Sequence, residues 1–216
     1  MSSEFDREPI RGLPAHLPKG EHILWQGAPA WRSLAIRAFH ARTVAIYLAI
    51  MLSWAVYANF AESLQIGTAL ISVAPLFVIA AASVGFLVFM AWATARSTVY
   101  TITNRRIVMR FGVALPMTVN LPFKIVGSAA LRLHPNGDGD IPLALATNDR
   151  LAFLVLWPHA RPWRATRPEP MLRCIPEAEQ VAGLVARALS TADPAGQADV
   201  PKVRHADAPV PQPQAA

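Results

Sequence analysis

The chain has 216 residues, 53% of them hydrophobic and only 16% charged, with a formal net charge of +6 and a pI near 10.2. Soluble domains carry ~25% charged residues, so the deficit argues against a chain that is water-soluble throughout. The single cysteine, Cys174, rules out an intrachain disulfide, and no HExxH, GxSxG or glycine-rich phosphate loop is present to suggest an enzyme.

Residues 1–16 read as a flexible N-terminus. Residues 17–42, LPKGEHILWQGAPAWRSLAIRAFHAR, make a basic amphipathic segment. EHILWQG has the pattern of a short strand with Ile23 and Trp25 on one side, and its membership of any sheet is left open. WRSLAIRAFHAR suits a helix whose Leu34, Ala35 and Phe39 face lipid or protein, while Arg32, Arg37 and Arg42 snorkel toward headgroups.

Residues 43–95 read as a transmembrane helical hairpin. Positions 43–61 and 63–95 contain no Asp, Glu, Lys, Arg or His, and Glu62 alone divides them. The first span is placed at 43–61, long enough to cross a bilayer at about 1.5 Å per residue. The second is placed at about 70–92, with Pro75 near its start. The first run begins beyond residue 40 and is followed directly by a second, which does not fit a cleaved signal peptide. Ala81, Ala82 and Gly85 on the second span permit close helix approach, to the first span, to a second copy in a homodimer, or to a partner helix.

Charge sets the expected topology. Arg32, Arg37 and Arg42 precede the hairpin, and Arg96, Arg105, Arg106 and Arg110 follow it, whereas its connection offers only Glu62. Both termini are therefore expected in the cytoplasm of a two-pass membrane protein, in the inner membrane if the cell is bacterial. From His22 to Gly137 there are nine Lys or Arg and one acid, a distribution that suits anionic lipid headgroups. It needs no nucleic acid to explain it. Trp25, Trp31 and Trp92 are candidate interfacial anchors.

Residues 97–190 read as a β-rich domain closed by a helix. In TVYTITNRRIVMRFG, Val99, Thr101 and Thr103 point one way and Tyr100 and Ile102 the other. After an Asn104-Arg105 turn, Ile107, Met109 and Phe111 alternate with Val108 and Arg110. Shorter strands are expected at 114–126, 129–134 and 141–145, and RLAFLVLWP at 150–158 is the most strand-like run. A helix is expected from Pro176, with Val181, Leu184, Val185, Ala188 and Leu189 on its apolar face. Together these suggest a β-barrel or curled sheet capped by a C-terminal helix. Residues 191–216, rich in Pro, Ala and Gln, read as a disordered tail.

Three features in this order, LPKGEHILWQG, a two-helix hairpin and VYTITNRRIVMRFG, resemble membrane proteins with a bacterial pleckstrin-homology-like domain. The family pattern pairs a Leu-Pro-x-Gly-Glu start with a Tyr-x-x-Thr-x-Arg-Arg element, here Tyr100, Thr103, Arg105 and Arg106 with Asn104 between. Within that group, ILWQGAPAWRSLAIRAFHAR, NLPFKIVGSAALRL, LVLWPHARPW and EPMLRCIPEAEQVAGLVARAL are similar to the photosynthetic complex assembly proteins of the PuhB family. The likeness covers roughly residues 14–190. It implies a pleckstrin-homology-like fold and a scaffold or chaperone role in building the purple-bacterial reaction centre and core antenna in the intracytoplasmic membrane. The partners would be subunits of those complexes. It implies no catalysis and no cofactor. Neither span holds a histidine that would ligate pigment, and His40 stands only at the mouth of the first. The polar groups an enzyme would need are His134, Asp138, Asp140, Asp149 and His159, and the first two flank a turn in PNGDGD. The competing reading is a generic membrane-anchored lipid- or peptide-binding module, for which Arg105, Arg106, Arg110, Lys124 and Arg132 would supply a basic surface.

Overall fold

The computed structural model describes residues 10–13, 15–63, 65–146, 153–162, 168–192 and 203–205. The chain divides into two units, Trp31–Ala95 and a second made of Met1–Ala30 with Arg96–Ala216.

The helical unit holds α1 (Trp31–Arg37), α2 (Ala41–Ser63) and most of α3 (Ile66–Ser97). With 23 and 32 residues at about 1.5 Å each, α2 and α3 are both long enough to cross a hydrocarbon layer of ~30 Å. They outrun the expected spans because loss of charge marks only the hydrocarbon, whereas a helix continues until its backbone is interrupted. One interruption is His40, whose φ of 53° turns the chain and whose carbonyl accepts the Val44 N–H at 3.0 Å. Ser53, Asn59, Ser72 and Ser83 donate to the carbonyl four residues back at 2.7–2.9 Å, so none of these polar groups stands unpaired on an apolar surface. Trp54, Tyr57, Ile71 and Phe77 are exposed. Water would not tolerate such a continuous apolar surface, and acyl chains would cover it. Ala69, Val73, Ala80 and Ala91 form the buried face of α3. A cleft of about 540 Å³ lies between Leu52 and Val56 on α2 and Val73 and Phe77 on α3. At one end of the hairpin, Ala35, Ala41 and Ala91 pack with Phe39, Leu87 and Val88.

The second unit has two sheets. The first is an antiparallel meander in the order β1-β2-β3-β4, from β1 (Ile23–Gly27), β2 (Val99–Thr103), β3 (Arg106–Phe111) and β4 (Met117–Pro122). Residues 23–27 thus join a sheet with strands that follow the hairpin. The second sheet is organised on β7 (Gly139–Leu145). Along one side run β5 (Val126–Ala129) and β6 (Leu131–Leu133), effectively one strand broken at Ala130, and along the other β8 (Met171–Ile175). β9 (Val203–His205) pairs parallel to β6, so these three residues of the expected tail form a strand.

Alternation along β2 and β3 builds the core. Tyr100, Ile102, Ile107 and Met109 meet Leu131, Ile141, Leu143, Leu172 and Ile175 of the second sheet. The helix α5 (Ala178–Ala192) covers them with Val181, Val185 and Leu189.

The sheets do not close into a barrel, since the described strands fall into two hydrogen-bonded sets. Three further expectations change. Within 150–158, Phe153–Leu156 is a short helix, α4, with the Trp157 N–H on the Phe153 carbonyl at 3.0 Å; residues 147–152 lie outside those described. Pro176 precedes α5 rather than entering it, because Glu177 has a φ of 52°. Residues 10–13, expected as flexible, turn back on themselves with Leu13 buried, and a Cβ at Gly12 would meet the Val99 side chain at 2.6 Å.

Candidate functional site

The two sequence elements that carry the family likeness meet in space. Glu21 lies just before β1, and Arg106 begins β3. The Arg106 guanidinium donates to both Glu21 oxygens, Nε to Oε1 at 2.7 Å and Nη2 to Oε2 at 2.9 Å. The Thr103 hydroxyl donates to Oε1 at 2.9 Å and accepts the Arg105 and Arg106 N–H groups. Asn104 completes the clasp: its Oδ1 accepts the His22 N–H at 3.1 Å and its Nδ2 donates to the Gly20 carbonyl at 3.0 Å. Burial alone would raise the Glu21 carboxyl, but Arg106 and Thr103 outweigh it and hold the group below the usual carboxylate value. The motif is therefore a structural lock. It fastens the segment before the hairpin to the β2–β3 turn after it.

Arg105 points out and is exposed, Arg106 is half-buried on its carboxylate, and Arg110 is buried in β3. Of the five bases expected to form a basic surface, Arg106 and Arg110 are thus taken up by the sheet itself, while Arg105, Lys124 and Arg132 are exposed. Arg105→Ser is expected to shift the urea unfolding free energy of the full-length protein by less than about 0.5 kcal/mol, the usual range for an exposed substitution. A larger loss would place Arg105 in the clasp.

A second polar network lies within the core. Tyr100 Oη bonds His159 Nδ1 at 2.6 Å, and Thr98 Oγ1 bonds its Nε2 at 3.2 Å. The Arg173 N–H reaches Tyr100 Oη at 3.3 Å, and Arg173 Nη1 donates to the Pro158 carbonyl at 2.8 Å. Burial, then the nearby Arg173 charge, pushes His159 down to about 3, so the ring is neutral near pH 7. Burial pushes the Tyr100 phenol well up. Asp140 bonds His134 at 3.2 Å and accepts the Cys174 N–H at 2.8 Å; these bonds outweigh burial and keep it ionised. Among the described residues no three His, Cys, Asp or Glu gather as a metal set. His134, Asp140 and His159 are committed to holding strands and loops together. Asp149 lies outside the described residues. The network escaped sequence reading because Arg173 and His159 stand alone in apolar surroundings. A run such as MLRCI, bounded by Pro170 and Pro176, is nevertheless the pattern of a buried strand.

The remaining candidates belong to the helical unit. Trp31 is exposed with the Arg32 guanidinium 5.4 Å from its ring, Arg42 is exposed, and Arg37 is half-buried. Trp92 is exposed and stacks on Phe89 at 6.0 Å. Trp25, by contrast, packs against the core of the sheet unit, which uses its ring as filling. Ala81, Ala82 and Gly85 are exposed, on the side of α3 away from Ala80 and Ala91. A Cβ placed on Gly85 would meet nothing within 4 Å. Beside them is a shallow groove of about 490 Å³ formed by Ile79, Ala82, Ser83, Phe86 and Leu87.

The bacterial PH domain family matches residues 32–189. A Rhodobacter capsulatus protein, described as an uncharacterized 23.7 kDa protein in the puhA 5' region, is 42% identical over 187 residues. The match covers 86% of this chain and 87% of that protein. No solved structure matches the chain.

Proposed function

The chain belongs to the bacterial PH domain family, and from that membership we propose that it is a membrane-bound assembly factor for the photosynthetic reaction centre and core antenna. The observation that carries this is the near full-length similarity to a protein encoded in the puhA 5' region, together with the PuhB-family motifs. In this reading α2 and α3 cross the inner membrane with both flanks in the cytoplasm. Two facts support the arrangement. The bases lie outside the spans, and β1 before them is hydrogen-bonded to β2 after them, which requires an even number of crossings. Trp31, Arg32, Arg37, Arg42 and Trp92 rest in the headgroup region and hold the hairpin at depth.

Partner subunits dock on the open face of α3 at Ala81, Ala82 and Gly85, where the absence of side-chain bulk lets a second helix approach closely. The test is affinity capture of the full-length protein from photosynthetically grown membranes. Reaction-centre or antenna subunits should be recovered with the native chain. Gly85→Leu should reduce their recovery roughly tenfold, equivalent to about 1.4 kcal/mol. Equal recovery with Gly85→Leu removes this face from the account. If the native chain recovers none of these subunits, and a deletion strain keeps normal complex levels, the assembly reading fails. A generic lipid module would then remain.

A further inference from the structure

The most exposed large apolar side chain among the described residues is not on either span. It is Leu115, 79% exposed, in the loop between β3 and β4, with Val113 at 53% and Met117 at 40% beside it. No charged residue occurs between Arg110 and Lys124. The loop has a defined shape. Gly112 has a φ of +122°, and a Cβ there would collide with the Leu115 carbonyl, so the turn requires glycine.

Strand register shows where this tip lies within its sheet. Val99 pairs with Arg110, Phe111 with Met117, and Gly27 with Tyr100. The start of β2, the end of β1 and the β3–β4 loop therefore share one end of the sheet. That is the end at which the chain arrives from α3, which stops at Ser97, and departs for α1, which starts at Trp31. Asn104 and Arg105 occupy the other end, about 15 Å away along five residues of strand. An uncharged, pre-shaped apolar tip thus stands at the end of the sheet that is tethered to the membrane segment, while the exposed arginine stands at the far end.

We propose that the β3–β4 loop inserts Val113 and Leu115 into the lipid–water boundary around the chain's own spans, giving the sheet unit a third point of attachment besides its two covalent tethers. The occupant is the bilayer. It is continuous with the surface that the spans require, and the loop offers neither charge nor free polar side chains to a hydrophilic partner. The inference rests on the two-pass reading above.

The test uses the full-length protein with single added cysteines, Leu115→Cys, Val113→Cys, Arg105→Cys and Phe77→Cys. Each is labelled with an environment-sensitive fluorophore and reconstituted sparsely in vesicles of equal phosphatidylcholine and phosphatidylglycerol. Cys174 is fully buried, and an unsubstituted control reports any labelling there. Quenching by lipids spin-labelled near the headgroup should be strong at 115 and 113 and weak at 105, with the label at 77 quenched by lipids spin-labelled deep in the chain. If 77 is quenched but 115 and 113 behave like 105, the loop inference falls and the two-pass reading stands. Shielding from aqueous iodide at 115 without lipid quenching would mark protein contact and also overturn it. If 77 is unquenched, both readings fall.

Discussion

Arg106→Ala is expected to destabilise the sheet unit by about 3–5 kcal/mol, the cost of leaving a buried carboxylate without its partner. The Glu21 side chain is 2% exposed and the Arg106 side chain 27%. Glu21→Ala leaves a guanidinium that can turn to water, so its cost should be smaller, nearer 2 kcal/mol on the scale of charged hydrogen bonds. The double variant should cost less than the sum of the two, because each single change already breaks the clasp. Urea unfolding of the full-length chain in nanodiscs, followed by hydrogen exchange at β1 and β2, measures all three. Equal costs for the two single changes would show that burial of the carboxylate does not set the scale. The pH dependence has a definite sign. A carboxyl held below its unfolded pKa stabilises the fold above that unfolded value, and the contribution is lost as pH falls through the folded one. Glu21→Gln should remove that part of the acid sensitivity.

Acid should also weaken the core through His159. Its folded value is about 3, against about 6.5 for a free imidazole, so the unfolded chain takes up a proton that the folded chain refuses. Stability from this group is fully present above about pH 6.5. It should fall by about 1.4 kcal/mol per pH unit between that point and the folded value. His159→Phe keeps a ring against Tyr100 and Phe111, whose centroids lie 5.7 and 4.9 Å from the imidazole. It should flatten the slope between pH 6 and pH 4 while lowering stability at neutral pH by about 1–3 kcal/mol, because Tyr100 Oη loses a partner. Tyr100→Phe should cost a similar amount at neutral pH and leave the slope in place, since the buried imidazole still titrates. If His159→Phe has the same slope as the native chain, the ring is not the group responsible.

Much of the architecture was legible because it rests on short-range regularities. The period of two from Val99 to Phe111 announces two strands with Tyr100, Ile102, Ile107 and Met109 on one face, and these residues are buried in the core. The uncharged runs announce two long apolar helices. What stayed hidden depends on residues far apart in the chain. Arg105 and Arg106 are neighbours of the same type, and only the position of Glu21, 85 residues before Arg106, separates an exposed base from a structural one. Period-two patterning also gave no warning at 150–158. A run apolar on both sides serves a buried helical turn as readily as a strand, and Leu156 is buried in this form. Trp25 reads as an interfacial ring by type, but its neighbours are the sheet core.

The pairing of β1 with β2 imposes an order of events on biosynthesis. His22 and Asn104 are joined although 82 positions separate them, and both membrane helices lie in that interval. In the two-pass topology proposed above, the strand made first waits on the ribosome side, unpaired, until the whole hairpin has left the insertion machinery and the next 30 Å or so of chain has emerged. A nascent chain that delivered only one helix to the membrane would strand β1 and β2 in different compartments and could never complete the sheet. Completion of the sheet thus depends on correct membrane threading, and a misthreaded copy would keep an open strand edge.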